Sequence, residues 1–244
     1  MTPEIRRYND RDQLHAAVAG ALITTVVERQ AATGRMRLVL TGGRSSAAVL
    51  QAVWQTPGRS AIDWPSLEIW WTDERYLPNG DPQRNDAFAR ILFSDLTIGG
   101  PVVYSIAGPD TTVSPEEAAG WYQRHLPGEG WDLVLLSLGE DGHIASIFPE
   151  SPALHNQATV VAVHGAPKEP TTRVTLSAVA LSNSAEVWVM ASGSAKSAAV
   201  RLALDPAAGP LQMPVNAIRG SQRNVWFVDA PAAERLPAQM GRRE

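Results

Sequence analysis

Residues 131–149, WDLVLLSLGEDGHIASIFP, decide how the rest of the chain is read. The first part, WDLVLLSL (131–138), is apolar at almost every position and lacks the alternation of a strand with one wet face. A strand of that kind is covered on both sides, as in parallel sheets flanked by helices. The second part changes character at once: Gly139, Glu140, Asp141, Gly142 and His143 come directly off the strand end. Such a cluster is either a turn or a reaction centre.

Outward from this stretch the chain alternates between two periodicities. Leu14, Val18, Leu22 and Val26 recur every four residues and predict an amphipathic helix between 9 and 32, stopped by Gly34. RMRLVL (35–40) is a strand ending in Thr41-Gly42-Gly43, and SSAAVLQAVW (45–54) is a helix. SLEIWW (66–71) is a strand ending in Thr72-Asp73-Glu74-Arg75. NDAFARILF (85–93) reads as a helix with Asn85 as its cap, and PVVYSI (101–106) as a strand. Ser114-Pro115-Glu116-Glu117 is a capping box with proline at the first helical position, so a helix runs from there to about His125. Further strands fall at 159–163, 173–176, 185–192 and 224–230, with a helix at 194–204.

Strands alternating with helices specify an α/β fold: a doubly wound, mainly parallel, Rossmann-like sheet with helices on both faces. No repeat, low-complexity block or long linker interrupts the chain, so one domain spanning residues 1–244 is expected. The stretch 151–184 has few helical signals and reads as an excursion on one side. The Ala-, Pro- and Arg-rich tail from Pro231 is expected to pack loosely.

Composition narrows the function. Apolar residues make up 44% and charged residues 19% of the 244, ordinary for a chain with a proper core. A formal charge of -4 provides no general basic face, which argues against nucleic acid as a partner. With no cysteine there is no disulfide scaffold, zinc-thiolate site or thiol nucleophile. The start MTPEIRRYNDRDQ lacks a signal-peptide core, and no apolar run nears the ~20 residues of a spanning helix. The expectation is a cytoplasmic protein without a membrane partner. The sequence does not fix the assembly; a monomer is favoured.

Four polar clusters sit where strands end, and in a parallel sheet those ends share one edge, where ligands bind. Thr41-Gly42-Gly43-Arg44-Ser45-Ser46 joins a strand to a helix and reads as an anion nest at the helix start, or as a plain tight turn. It is neither a GxxxxGK[ST] loop nor a GxGxxG fingerprint. Gly193-Ser194-Ala195-Lys196 has the same form. Lys196 would oppose the helix dipole in the first turn, and only Lys168 and Lys196 are lysines among the 21 basic residues. An anion between Lys196 and the helix end would explain it, as would a solvated surface lysine. Asp73-Glu74-Arg75 reads as a turn in which Glu74 makes a local ion pair. Arg173 begins a strand, where a structural salt bridge is an equal reading. His143 titrates near neutrality and suits a general base, with Asp141 two residues away to orient it. HExxH and GxSxG are both absent, which disfavours a zinc site or a serine hydrolase. His15 and His125 fall in expected helices and read as surface residues.

Taken together, these pieces resemble the 6-phosphogluconolactonases, relatives of glucosamine-6-phosphate deaminase on a doubly wound α/β fold. LGEDGHIASIFP is similar to the family's LGxDGHTASLFP, and WWTDERYLPNGDPQRND to its Asp-Glu-Arg motif and downstream elements. RVTL and GSAK resemble its Arg-Ile-Thr and Gly-x-x-Lys segments, and VWFVDAPAA its last strand. The matches run in order along nearly the whole chain. Two departures stand out: TGGRSS replaces the usual SGGSTP, and Arg84-Asn85-Asp86 replaces Ser-Asn with Asn85 kept.

The resemblance implies hydrolysis of a small-molecule sugar-phosphate lactone, 6-phospho-D-glucono-1,5-lactone, without metal or cofactor. His143 would deprotonate the attacking water and Asp141 would position it. Gly42, Gly43, Arg44, Arg173 and Lys196 would hold the phosphate, with Asp73 also on the substrate. Arg75 would hold either the phosphate or the C1 oxyanion. A sugar-phosphate isomerase or deaminase is the competing enzyme, with Asp73 as a carbon base. The deaminase motif DGHIAFNEP carries a glutamate where this chain has Phe148, and Arg75 replaces a tyrosine. A non-catalytic sugar-phosphate sensor would have no need of His143.

Overall fold

The computed structural model describes residues 2–94, 96, 99–238 and 240–243. The first element is a strand that the sequence pattern hides, β1 (Glu4–Tyr8); EIRRY has no clean period of two. Asp10 then caps α1 (Arg11–Thr33) by accepting from the Gln13 amide, and Gly34 ends it at φ 76°. There follow β2 (Met36–Leu40), α2 (Arg44–Gln55), β3 (Leu67–Trp71), β4 (Asp73–Arg75), α3 (Ala87–Ser94), β5 (Val102–Val103) and α4 (Pro115–His125). The second half contains β6 (Trp131–Ser137), β7 (Val160–Val163), β8 (Arg173–Leu176), α5 (Ala178–Ser182), β9 (Ser184–Ala191), α6 (Ser197–Ala203), β10 (Arg223–Asp229) and β11 (Arg242–Arg243).

Eight strands form the main sheet in the order β11-β1-β10-β9-β6-β2-β3-β5. Every pairing in it is parallel. The chain winds outward from β2 through β3 to β5, returns to the middle at β6, and winds the other way through β9 to β10. Strands β2 and β6 are neighbours, in register at Leu38↔Leu133 and Val39↔Val134. The winding reverses between them, so the loops leaving their carboxyl ends diverge and open a crevice.

The missing alternation in WDLVLLS now has its cause. Leu133 and Leu135 of β6 enter one core with Leu14, Val18, Val49 and Val53 of α1 and α2. Val134 and Leu136 enter the other with Tyr122 of α4 and Val200 of α6. β9 does the same, with Trp188 and Met190 on one side and Val187 and Val189 on the other.

Some expectations are met and others corrected. The excursion at 151–184 contains both strands expected there, which pair in a second, antiparallel sheet, β4-β8-β7, and also the short α5. Its third strand is Asp73–Arg75, read from sequence as a turn; Asp73 pairs with Thr175 and Arg75 with Arg173. The strand expected over 101–106 reduces to Val102–Val103. The tail from Pro231 does not pack loosely at its start: Ala232, Ala233 and Leu236 are buried. Arg7 of β1 ties it down by donating to the Ala233 and Pro237 carbonyls, and β11 pairs with β1. No helix among the described residues is long and apolar enough to cross a membrane.

Candidate active site

Four loops meet over the carboxyl ends of the parallel strands and line one open cleft of about 740 Å³. After β2, the backbone turns at Gly42 and Gly43 into α2. Gly43 is the N-cap and no side chain caps the helix, so the first-turn amides stay open. In the same turn the buried Ser46 Oγ has no hydrogen-bond partner among the described residues. Gly42 is close-packed: a Cβ there would lie 1.8 Å from Asn85 Oδ1. After β9, the chain turns at Gly193 into a 3-10 turn, Ser194–Lys196, again without a side-chain cap. Lys196 Nζ reaches back to Ser137 Oγ at 3.3 Å, and burial holds its pKa below the ordinary lysine value.

After β6, the motif folds back on itself. The Gly139 amide donates to the His143 carbonyl at 2.8 Å and the Gly142 amide to the Gly139 carbonyl at 3.1 Å. Gly139 has no alternative here, since a Cβ would sit 2.1 Å from His143 Nδ1. Asp141 Oδ1 accepts from the His143 amide at 3.2 Å and makes a short bond with His143 Nδ1. A carboxylate only accepts, so Nδ1 carries the hydrogen and Nε2 keeps the lone pair. The Phe148 ring lies 4.7 Å from the imidazole, and this apolar side chain has no acid–base group to offer there.

The charges follow from these contacts. Burial lowers the pKa of His143 from its ordinary value and outweighs the opposing pull of Asp141. The ring is therefore neutral at neutral pH and able to accept a proton. Burial works against the Asp141 carboxylate, but its bond to His143 prevails and lowers its pKa. The pair rests as carboxylate and neutral imidazole, poised for proton transfer to Nε2.

Gly42, Gly43, Arg44, Asp73, Arg75, His143, Arg173 and Lys196 all line the cleft, and Asp141 stands behind His143. Three of them have additional tasks. Asp73 is buried, and its carboxylate accepts from Ser146 Oγ (2.7 Å), Thr72 Oγ1 (3.0 Å) and Asn85 Nδ2 (3.3 Å). It therefore clamps β4 to the turn after His143. Arg173 makes no salt bridge among the described residues; Nε donates to the Pro170 carbonyl and Nη2 to that of Lys168, both at 2.8 Å. Arg75 Nη1 is bound to the Gln83 carbonyl.

The sequence reading misplaced three groups. Glu74 is not at the surface: it is 1% exposed, accepts from the Arg75, Asn85 and Asp86 amides, and makes its ion pair with the buried Arg84 at 3.7 Å. Burial pushes its pKa up to about 7. Asn85 caps nothing, because its amide goes to Glu74 and its side chain to Asp73. His15 is buried and lines the cleft with Arg11 and Asp12. That wall was invisible without β1, which sets the start of α1 at the same edge. Lys168 is a further cleft residue. Among the described residues no group of three or more His, Cys, Asp or Glu side chains is placed to hold a metal ion.

Comparison with known proteins follows the same lines. A family model described as glucosamine-6-phosphate isomerases/6-phosphogluconolactonase matches residues 9–226. A 6-phosphogluconolactonase of Streptomyces coelicolor is 38% identical over 98% of this chain and 97% of its own. The crystal structure of a 6-phosphogluconolactonase from Thermotoga maritima superposes with a TM-score of 0.81 at 27% identity, covering 93% of this chain and all of that one. A monomeric glucosamine-6-phosphate deaminase superposes at 0.79 with 18% identity, over 95% of this chain and 99% of its own. The two scores are nearly equal, so the fold alone does not separate the two chemistries.

Proposed function

The chain belongs to the glucosamine-6-phosphate isomerase/6-phosphogluconolactonase family, and we propose that it hydrolyses 6-phospho-D-glucono-1,5-lactone to 6-phospho-D-gluconate. It is a lactone hydrolase, as its relatives' names indicate. The observation that carries the mechanism is the Asp141–His143 pair facing a cleft rich in cations, with Phe148 against the imidazole.

In this reading the phosphoryl group lies among the open amides after Gly43, with Arg44 and Lys196 beside it. The lactone carbonyl then lies toward His143. Nε2 takes a proton from water as the oxygen attacks C1, and Asp141 stabilises the imidazolium that forms. Charge developing on the carbonyl oxygen is met by Arg75. Collapse of the tetrahedral intermediate breaks the bond to the ring oxygen, and His143 returns the proton to that oxygen. The product is an open-chain acid. No metal or cofactor takes part, and the reaction runs in the cytoplasm.

Phe148 speaks against the isomerase and deaminase reading, because ring opening needs an acid beside the ring oxygen. Asp73, the carbon base that reading requires, has its oxygens engaged by Ser146, Thr72 and Asn85. The test is a coupled assay in which glucose-6-phosphate dehydrogenase generates the lactone and purified protein is added. Faster loss of lactone than in buffer is expected; a rate equal to buffer overturns the proposal.

A further inference from the structure

The first turn of α1 is a wall of the cleft with no task in the mechanism above. Arg11 opens the helix and His15 follows one turn later on the same face. Arg11 is held in place: Nε donates to Ser192 Oγ at 3.1 Å, and that hydroxyl donates to Asp229 Oδ2 at 2.6 Å. Asp229 also accepts from the amides of Gly193 (3.0 Å) and Ala232 (2.8 Å). The start of α1 and the Gly193 corner that carries Lys196 are therefore one hydrogen-bonded unit.

Within that unit His15 stands out. It is 7% exposed, it lines the cleft, and its Nε2 is buried without a hydrogen-bond partner among the described residues. Buried polar groups in native proteins nearly always have partners, so an orphan at the wall of a site calls for one from outside the chain. The neighbouring wall brings Arg11, Arg44, Lys196 and the uncapped amides after Gly43 together beside Asp12 and Glu140, and its cations and amides favour an acceptor of negative charge. We infer that His15, together with Arg11, completes the phosphoryl subsite, its ring hydrogen-bonding a phosphoryl oxygen of the substrate. This inference rests on the phosphosugar reading above.

The surrounding charges set a pH signature. His15 faces Arg11 and Asp12 on its own helix, Asp229 from β10 and Lys196 from the Gly193 corner. Burial, with Arg11 next in support, lowers its pKa, against Asp12 and Asp229. The lowered pKa leaves the ring neutral at neutral pH. A phosphoryl dianion beside it favours the imidazolium, so binding raises the His15 titration midpoint.

The test uses NMR of the histidine rings in the wild-type protein, titrated with 6-phosphogluconate, inorganic phosphate or gluconate. The His15 signals should move, and their midpoint should rise, with the two phosphorylated probes and not with gluconate. In kinetics, His15→Leu should raise KM for the phosphorylated lactone about ten-fold more than for unphosphorylated gluconolactone, the scale of one charge-assisted hydrogen bond. His15→Gln, which keeps a donor, should recover most of that loss. His15 signals indifferent to 6-phosphogluconate, or a His15→Leu variant weakened equally on both lactones, would overturn the inference. A wild-type protein inactive on the phosphorylated lactone would sink the lactonase reading instead, while the NMR titration, which needs no turnover, still decides His15.

Discussion

The two ends of the cleft are built differently. At the His143 end every group is fixed by a neighbour: the imidazole by Asp141 and Phe148, Asp73 by Ser146 and Asn85, and the 168–170 loop by Arg173. At the Gly43 and Lys196 end the helix starts have no side-chain cap, Arg44 is exposed, and Lys196 makes a long contact of 3.3 Å to Ser137 Oγ. In the proposed mechanism the first end transfers a proton, which needs closely held geometry, and its groups are locked in advance. Holding a phosphate needs charge and open amides, and can leave their satisfaction to the ligand. The contrast predicts that substitutions at the first end act on kcat and those at the second on KM.

The largest break in this comparison is His143→Ala. It should lower kcat by about 10²–10⁴, the scale of a lost general base, with circular dichroism unchanged. Activity within a few-fold of wild type would remove His143 from the mechanism.

Asp141→Asn comes next and sharpens the first end through pH. The lowered pKa of His143 means that kcat/KM should hold at neutral pH and fall only at acid pH, with its inflection below 6.5. Asp141 raises that pKa, so removing its charge should move the inflection further down while kcat falls at every pH. An inflection that moves up, or does not move, would show that Asp141 does not act on His143 electrostatically.

A smaller effect belongs to the second end. Lys196→Ala should raise KM for the phosphorylated lactone about ten- to a hundred-fold, as for a charge-assisted contact of roughly 1.5–3 kcal/mol. Unphosphorylated gluconolactone should respond much less, and equal losses on both would give Lys196 a structural role. Arg173→Ala should behave unlike Lys196→Ala, because its donors hold loop carbonyls. Similar losses on both lactones, with a lower Tm, are expected; a loss confined to the phosphorylated substrate would return Arg173 to the phosphate. Smallest of all, prolonged EDTA treatment should change nothing, and loss of activity that a divalent ion restores would reveal a metal role for Asp73, Asp141 or His143.

How much the sequence showed followed the strength of each local signal. WDLVLLSL announced a strand covered on both faces, and the two cores that take its alternate residues confirm why. The DGH turn was legible because Asp141 and His143, two residues apart, bond to each other within it. EIRRY was not, since a five-residue strand has only Ile5 and Tyr8 to bury and its arginines mask the pattern. Missing it hid the cleft wall carrying Arg11 and His15. Asp73–Arg75 looked like a turn because its partner β8 lies about a hundred residues on, and a pairing of that range leaves no local trace. Glu74 was misread for the same reason: the Asn85 and Asp86 amides that it accepts from come from a different loop.

The measurement closest to the central claim sets the two chemistries of the family side by side in one preparation. The purified protein is given 6-phosphogluconolactone in the coupled assay and, separately, glucosamine-6-phosphate with detection of ammonia. The account predicts enzyme-dependent hydrolysis of the lactone, no release of ammonia, and no deuterium at C2 of the product when turnover runs in deuterated buffer beyond the uncatalysed background. Ammonia release at a rate comparable to lactone hydrolysis, or enzyme-dependent exchange at C2, would mean that Asp73 works as a carbon base despite its three hydrogen bonds, and would contradict it.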